Sequence, residues 1–226
     1  MFAVYKKELK SYLFTSVGYI FIGLFLFLFS IFFYLQLFQS ATINFEYLFY
    51  NGATILTFLT PVLTMRMFAE ERKSGTEQLL LTSPRSITSI VLGKFFAAGT
   101  IILITELFTL IYFVILSYFG KPSLIVALST LGGFLLLSLA YISFGMFASS
   151  ITENQIVAAV ISIVAFLIMW FLPSFHESLA IFSLVDIFDK FPQGIISVSE
   201  IITFVTFSIL FILLTIIVMQ RRKCTK

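Results

Sequence analysis

The sequence predicts an all-α membrane protein: six transmembrane helices, an N-terminal interfacial helix, a cytoplasmic coupling helix and outer re-entrant helices before the last span. Three observations carry this. The 226 residues are 60% hydrophobic and only 11% charged, where a soluble domain carries roughly 25% charged residues; the mean hydropathy is +1.09. Six apolar segments reach the ~20 residues that a helix needs to cross a bilayer core. The basic residues fall between those segments so that six spans put nearly all of them on one side. Cys224 is the single cysteine, which excludes a disulfide framework, and the chain has one histidine, which speaks against a zinc or haem site. The 30 phenylalanines suit lipid-facing and helix-packing surfaces.

Lys6, Lys7 and Lys10 precede the first span, Val17–Phe38. That run is longer than the ~7–15 residues of a signal-peptide core and no small-x-small cleavage site follows, so it is read as retained. In residues 1–15, Phe2, Tyr5, Leu9, Tyr12 and Leu13 are apolar while Lys6, Lys7 and Lys10 are charged. An interfacial helix on an anionic leaflet has this pattern; so has an ordinary positive-inside flank. The second span is Tyr50–Ala69. The third, Ile90–Phe119, follows Pro84 and a Ser86 cap and stops at Gly120-Lys121-Pro122. The fourth, Leu124–Ser150, and the third are long enough to tilt. Glu153-Asn154 makes a tight turn into the fifth, Gln155–Leu172, and the sixth is Ile201–Gln220. Residues 174–200 hold His176, Glu177, Asp186, Asp189 and Lys190, too polar to span, together with apolar patches that Pro192 and Gly194 interrupt. Short helices dipping into the membrane fit, provided protein covers their irregular backbone.

Orientation follows from charge. Lys6, Lys7 and Lys10, then Arg66, Arg72, Lys73, Arg85 and Lys94, then Arg221, Arg222, Lys223 and Lys226 share one side; Lys121 and Lys190 lie on the other. Both termini and the loop after the second span are therefore expected in the cytoplasm. That loop carries the most informative stretch, Glu70 to Pro84. Ser74-Gly75-Thr76-Glu77 fits a capping box, in which the Ser74 hydroxyl accepts from the Glu77 N–H and the Glu77 carboxylate returns to the cap. It predicts a helix from about Gly75 to Thr82, within residues 74–83, that ends before Pro84. Leu79, Leu80 and Leu81 give this helix an apolar ridge. So short a helix is marginal in water and needs a docking surface. A partner gripping Glu70, Glu71, Arg72, Ser74, Gly75, Thr76, Glu77 and the leucines is the functional reading; a surface loop that happens to be helical is the plain one.

The stretch from Phe58 to Pro84, with its E-E-x-x-x-G-T-E-x-L-L pattern at Glu70–Leu80, and the following Ile90-Val91-Leu92-Gly93-Lys94 resemble the permease subunits of ABC-2-type (type V) ATP-binding-cassette transporters. The opening Tyr5-Lys6-Lys7-Glu8-Leu9-Lys10-Ser11-Tyr12, with Gly18-Tyr19-Ile20, and the segment Phe188–Ile196 resemble the gliding-motility-associated branch. The resemblance covers nearly the whole chain. It implies one transmembrane domain over residues 1–226, with both termini inside, in a bacterial or archaeal cytoplasmic membrane. It implies an interfacial helix built on Tyr5, Lys6, Lys7 and Lys10 and a coupling helix between spans two and three. It implies ABC ATPase subunits as partners, and a second permease subunit, the same chain or a paralogue. Membrane lipid and an extra outer-side protein are further partners; nucleic acid is not one.

No G-x-x-x-x-G-K-[ST] phosphate loop occurs, and Gly93-Lys94 lacks both the glycine spacing and the Ser/Thr for Mg²⁺. The chain is thus expected to bind no cofactor and catalyse nothing itself; ATP and Mg²⁺ belong to the partner ATPase. Glu106 stands ~24 Å along span three at ~1.5 Å per residue. A charge there is a candidate for a translocation path; a protonated or hydrogen-bonded carboxyl facing Thr105, Thr109 or a neighbouring helix is the plain alternative. His176 with scattered carboxylates is a weak metal pattern, and no metal site is expected. Export of a lipid-like, peptide or other amphipathic molecule is the leading function. A mechanotransmission complex that moves no substrate, or an ATP-independent membrane transporter, are the alternatives. The latter would ordinarily show more intramembrane charges and internal repeats.

Overall fold

The computed structural model describes residues 1–39, 45–78, 85–119, 123–194 and 197–224. Among them every regular element is a helix: α1 (Phe2–Phe14), α2 (Ser16–Gln39), α3 (Phe45–Thr64), α4 (Arg66–Lys73), α5 (Ile87–Phe119), α6 (Leu124–Ile151), α7 (Gln155–Phe171), α8 (Leu184–Asp189) and α9 (Val198–Cys224), with 3-10 turns at Leu172–Ser174 and Glu177–Phe182. Six helical stretches are long and apolar enough to cross a membrane; the second runs through α3 and α4, Tyr47–Lys73.

Two of these stretches form the centre. The α3–α4 stretch has 72% of its most apolar window buried inside the protein and α6 has 56%, against 22% for α2 and α9 and 17% for α7. The outer helices expose apolar side chains such as Ile156, Ile168, Ile202 and Ile209, as helices facing lipid do. Small and hydroxylated residues let the central pair approach. A Cβ on Gly145 would lie 2.9 Å from the Thr64 Cβ and closer still to its hydroxyl. Thr57, Thr60, Thr64, Ser138 and Ser143 are buried. Four of these hydroxyls return to carbonyls of their own helix, Thr57 to Ala53, Thr64 to Thr60, Ser138 to Phe134 and Ser143 to Ala140. They pack and self-satisfy.

The helix is interrupted at Met65, four residues after Pro61, although Met65 N still donates to Pro61 O at 2.8 Å. The N–H groups at the start of α4 find an acceptor across the interface. Phe68 N and Ala69 N both donate to Ser149 Oγ of α6, each at 3.1 Å, and that hydroxyl donates to Met65 O at 2.8 Å. One serine thus caps a helix on a neighbouring span.

α1 lies against the start of α5. Val4 packs over Gly93, Tyr5 Oη pairs with Thr100 Oγ1 at 3.0 Å, and Tyr12 Oη donates to Leu63 O at 3.4 Å. Burial pushes the Tyr12 phenol well above its ordinary pKa, so it stays a neutral donor. Lys6, Lys7 and Lys10 point outward. Phe2, assigned to the apolar face, is 74% exposed. The ends of α1, α4 and α9 meet at one end of the bundle, the charged end.

At the other end the chain between α7 and α9 folds back into the bundle. Leu184, Val185, Ile187 and Phe188 of α8 are buried, and Ser183 caps it by accepting from Asp186 N at 3.3 Å. Phe188 meets Phe134 edge-on, with Phe25 and Phe49 on the same ring. Phe134 is about 15 Å along α6 from Leu124, at ~1.5 Å per residue. Ser86 caps α5, its hydroxyl accepting from Ser89 N at 3.3 Å. Asn154 caps α7, accepting from Ile156 N at 2.9 Å.

The helix predicted from about Gly75 starts later, with helical backbone at Glu77 and Gln78; Gly75, at φ +73°, takes a left-handed conformation that closes α4. Leu79, Leu80 and Leu81, with the rest of 79–84, lie outside the described residues, as does the Gly120-Lys121-Pro122 turn.

Ser149→Ala removes the acceptor of two buried N–H groups and should cost about 1–3 kcal/mol. Ser143→Ala, whose hydroxyl returns to Ala140 O, should cost less. Thermal unfolding of the two variants in detergent gives the comparison; equal stability would show that the cap is dispensable.

Candidate functional site

Glu70-Glu71-Arg72 is the last acidic and basic run of an amphipathic turn, and each side chain goes a different way. Arg66 grips Glu70 along α4 in a two-pronged pair, Nε–Oε2 2.7 Å and Nη2–Oε1 3.2 Å. Glu71 turns to α5 and meets Lys94 Nζ at 2.8 Å. Lys94 is 2% exposed and also donates to Glu8 Oε1 of α1 at 3.1 Å. Its ammonium stands 5.3 Å from the centre of the Phe68 ring. A lysine inside an apolar helix is thereby held by carboxylates from two other helices. Arg72, the next residue round the helix, turns to α6 and the α6–α7 turn, donating to Ile151 O at 3.1 Å and pairing with Glu153 at 2.6 Å.

Beyond Lys73 the chain doubles over the end of α4. Ser74 N donates to Glu70 O and Gly75 N to Arg72 O. The Ser74 and Thr76 hydroxyls both donate to Glu71 O, at 3.2 and 3.3 Å. Orphan carbonyls at a helix end are satisfied in this way. The expected capping box is therefore replaced. Ser74 closes the preceding helix, and the Glu77 carboxylate, 7% exposed, reaches Arg222 Nη1 of α9 at 3.1 Å instead of returning to Ser74. Arg222 Nη2 lies 3.4 Å from Ile151 O. The last carbonyl of α6 thus receives two guanidinium groups, a favourable place for cations at a helix C-terminus.

Between α1 and α4 the charged end opens a cleft of about 660 Å³, lined among others by Lys7, Ser11, Arg66, Glu70, Thr76 and Arg85. Lys73, Ser74, Gly75, Thr76 and Gln78 form the outward surface beside it. Of the residues singled out from sequence, Glu70, Glu71, Arg72, Ser74, Gly75, Thr76 and Glu77 gather here, with Tyr5 and Lys7 on the adjoining helix; Lys6 and Lys10 point away on α1. Glu106 belongs elsewhere. It is about 18 Å further along α5 than Lys94 at ~1.5 Å per residue, is 7% exposed, and its Oε1 has no hydrogen-bond partner among the described residues. Thr105 and Thr109 do not serve it, since their hydroxyls go to Ile101 O and Glu106 O. Among the described residues no three His, Cys, Asp or Glu side chains converge to hold a metal.

Glu8, Lys94 as a buried cation, Ile151 O and Arg222 are the members that sequence reasoning missed. Two signals for them existed. Glu8 is an acid within the apolar stripe of α1, and Lys94 is a cation several residues inside an apolar run.

Residues 34–220 match the family described as ABC-2 family transporter protein. No curated protein matches the chain.

Lys94→Met should leave Glu8 and Glu71 facing each other without a cation. A loss of about 3–5 kcal/mol is expected, as for other broken buried pairs. Adding Glu71→Gln should recover part of it. Unfolding in detergent measures both; a Lys94→Met protein as stable as the parent would remove Lys94 from the framework.

Proposed function

This chain belongs to the ABC-2 family of transporter proteins, as a multi-pass membrane domain, and we propose that it is the permease subunit of an ATP-driven exporter worked by a separate ATPase. The family is a membrane transport subunit and not itself an ATPase, and it implies an ABC ATPase partner and a paired permease. The match over residues 34–220 carries this reading. The finer steps are ours. The ATPase docks on the outward residues Lys73, Ser74, Gly75, Thr76 and Gln78 and the leucine ridge Leu79–Leu81, with the charged end in the cytoplasm and the membrane the bacterial or archaeal cytoplasmic one. The basic residues of the charged end, Arg66, Arg72, Lys73, Arg85 and the α9 tail, favour that orientation. α1 rests its outward lysines on anionic lipid. The cargo is a lipid-like, peptide or amphipathic molecule, and Glu106 lines its path. The gliding-motility branch remains the proposed subfamily.

The functional cycle then reads as follows. ATP-driven closure of the two ATPases displaces the segment after Gly75. The ionic contacts of Glu71 and Arg72 carry that displacement to α1, α5 and α6. The route between the paired permeases opens or collapses with them. A Lys73→Glu, Leu80→Asp variant should lose ATPase subunits on purification in detergent and lose stimulation of ATP turnover by the permease. Phe175→Ser, on an exposed side chain beyond α7, should change neither. Undiminished ATPase retention by the first variant would overturn the docking site.

A further inference from the structure

Span six has no place in that relay as drawn from spans two and three. α9 packs along α6, where Phe211 meets Phe144 and Phe147, and much of its length faces outward as Ile202, Val205, Ile209, Leu213 and Ile217 do. Its packing on α6 is extensive but apolar, and what ties its end to another element is a directional contact. Arg222 supplies one. Its two guanidinium nitrogens reach Glu77, beyond the Gly75 break, and Ile151 O, at the end of α6. The side chains of the pair are largely withdrawn from water, 21% exposed for Arg222 and 9% for Glu77. Separating them would leave a poorly solvated carboxylate, so they move together.

The position of the pair matters as much as its strength. Gly75, at φ +73°, is where the chain leaves the axis of α4, and Glu77 is two residues further on. Contacts made by Glu71 and Arg72 report movement of α4 itself. Glu77 alone among these charged contacts reports movement of the segment past the break. Resting on the proposal that an ATPase grips that segment, we propose that Arg222 is a positioning residue that carries the stroke from Glu77 directly into span six. The last span would thus be driven by the same segment that drives spans two and three. Arg72, sharing Ile151 O with Arg222, keeps the end of α6 in register with both.

The chain's single cysteine, Cys224, is the last residue of α9 and provides a reporter two residues from Arg222. An environment-sensitive fluorophore there, in the permease bound to a cysteine-free form of its ATPase and reconstituted in lipid, reads movement of the end of span six. A non-hydrolysed ATP analogue should change its emission in the parent. Arg222→Glu should lose that change, and so should Glu77→Arg. The double exchange Glu77→Arg, Arg222→Glu should regain it, because Arg72 still holds Ile151 O. Persistence of the response in Arg222→Glu overturns the inference, and so does a double exchange that remains silent although its unfolding temperature matches the parent. ATPase retention is scored on the same samples. If the parent retains no ATPase, the transporter reading itself fails; if all variants retain it, the fluorescence decides the role of Arg222 alone.

Discussion

A lysine ammonium with 2% of its surface in water, held between carboxylates of two other helices, sets the condition that the charged end of this protein must meet. Removing a cation from water costs several kcal/mol, which is offset only while its partners stay within hydrogen-bond distance. α1, α4 and α5 therefore cannot drift apart at this end without exposing the deficit. The condition extends further through chain connectivity. Glu71 and Arg72 are neighbours on a helix and project about 100° apart, so one turn of α4 pulls on α1 and α5 with one residue and on α6 and α7 with the next. Glu77 and Arg222 add α9. The charged ends of α1, α5, α6 and α9 are thus fixed by reference to one turn and the residues just after it.

The two ends of the bundle hold together by different physics. At the charged end the contacts are directional, with donor and acceptor at 2.6 to 3.4 Å; water reaches the Arg66–Glu70 and Arg72–Glu153 pairs and can replace a partner there, but not at the buried Lys94 and Glu77. At the aromatic end, Phe25, Phe29, Phe49, Phe134 and Phe188 pack ring against ring, and a gap there would forfeit dispersion contacts with nothing to replace them. Between them run Thr and Ser residues whose hydroxyls are mostly satisfied within their own helices. A bundle built so can exchange contacts at one end while pivoting on the other. Rearranging ion pairs costs little where solvent reaches, and the aromatic packing changes least.

Much of this was legible from the residues. Six spans follow from apolar length, and the meeting of α1, the 66–78 segment and the α9 tail at one end agrees with the grouping of their basic residues. The cap at Ser86 and the turn at Glu153-Asn154 also read directly, since local chemistry decides them. What the sequence did not disclose is contact across large separations. Glu77 was expected to turn back three residues to Ser74, because a capping box is a local pattern; it goes instead to Arg222, which no local rule connects to it. Nothing local marks Ser149, and only the break at Met65 gives it two N–H groups to receive. The Lys94 cluster needed three helices to be placed before its charges could be paired. Of the partners the sequence offered Glu106, Thr105 and Thr109 do not serve, because both hydroxyls bond backbone carbonyls, the usual habit of such residues inside helices.

The motif E-E-x-x-x-G-T-E can now be read letter by letter. Its charged letters at Glu71 and Glu77 face into the protein and bind it together, and Glu70 secures Arg66. Its Ser74 and Thr76 hydroxyls close the carbonyl end of α4. Its glycine turns the chain through a conformation that other residues adopt at a cost. A partner that needs an accessible handle therefore finds it in the residues between and after the charged ones, Lys73 to Thr76 and Gln78, which face outward. The division is physically economical. Charges that grip the outside would be free to exchange with solvent and salt, and would transmit force poorly. Charges turned inward, desolvated and paired, move only with their helices. A segment that is exposed at its tip and ionically locked at its root converts a contact made outside into displacement of the helices it is locked to.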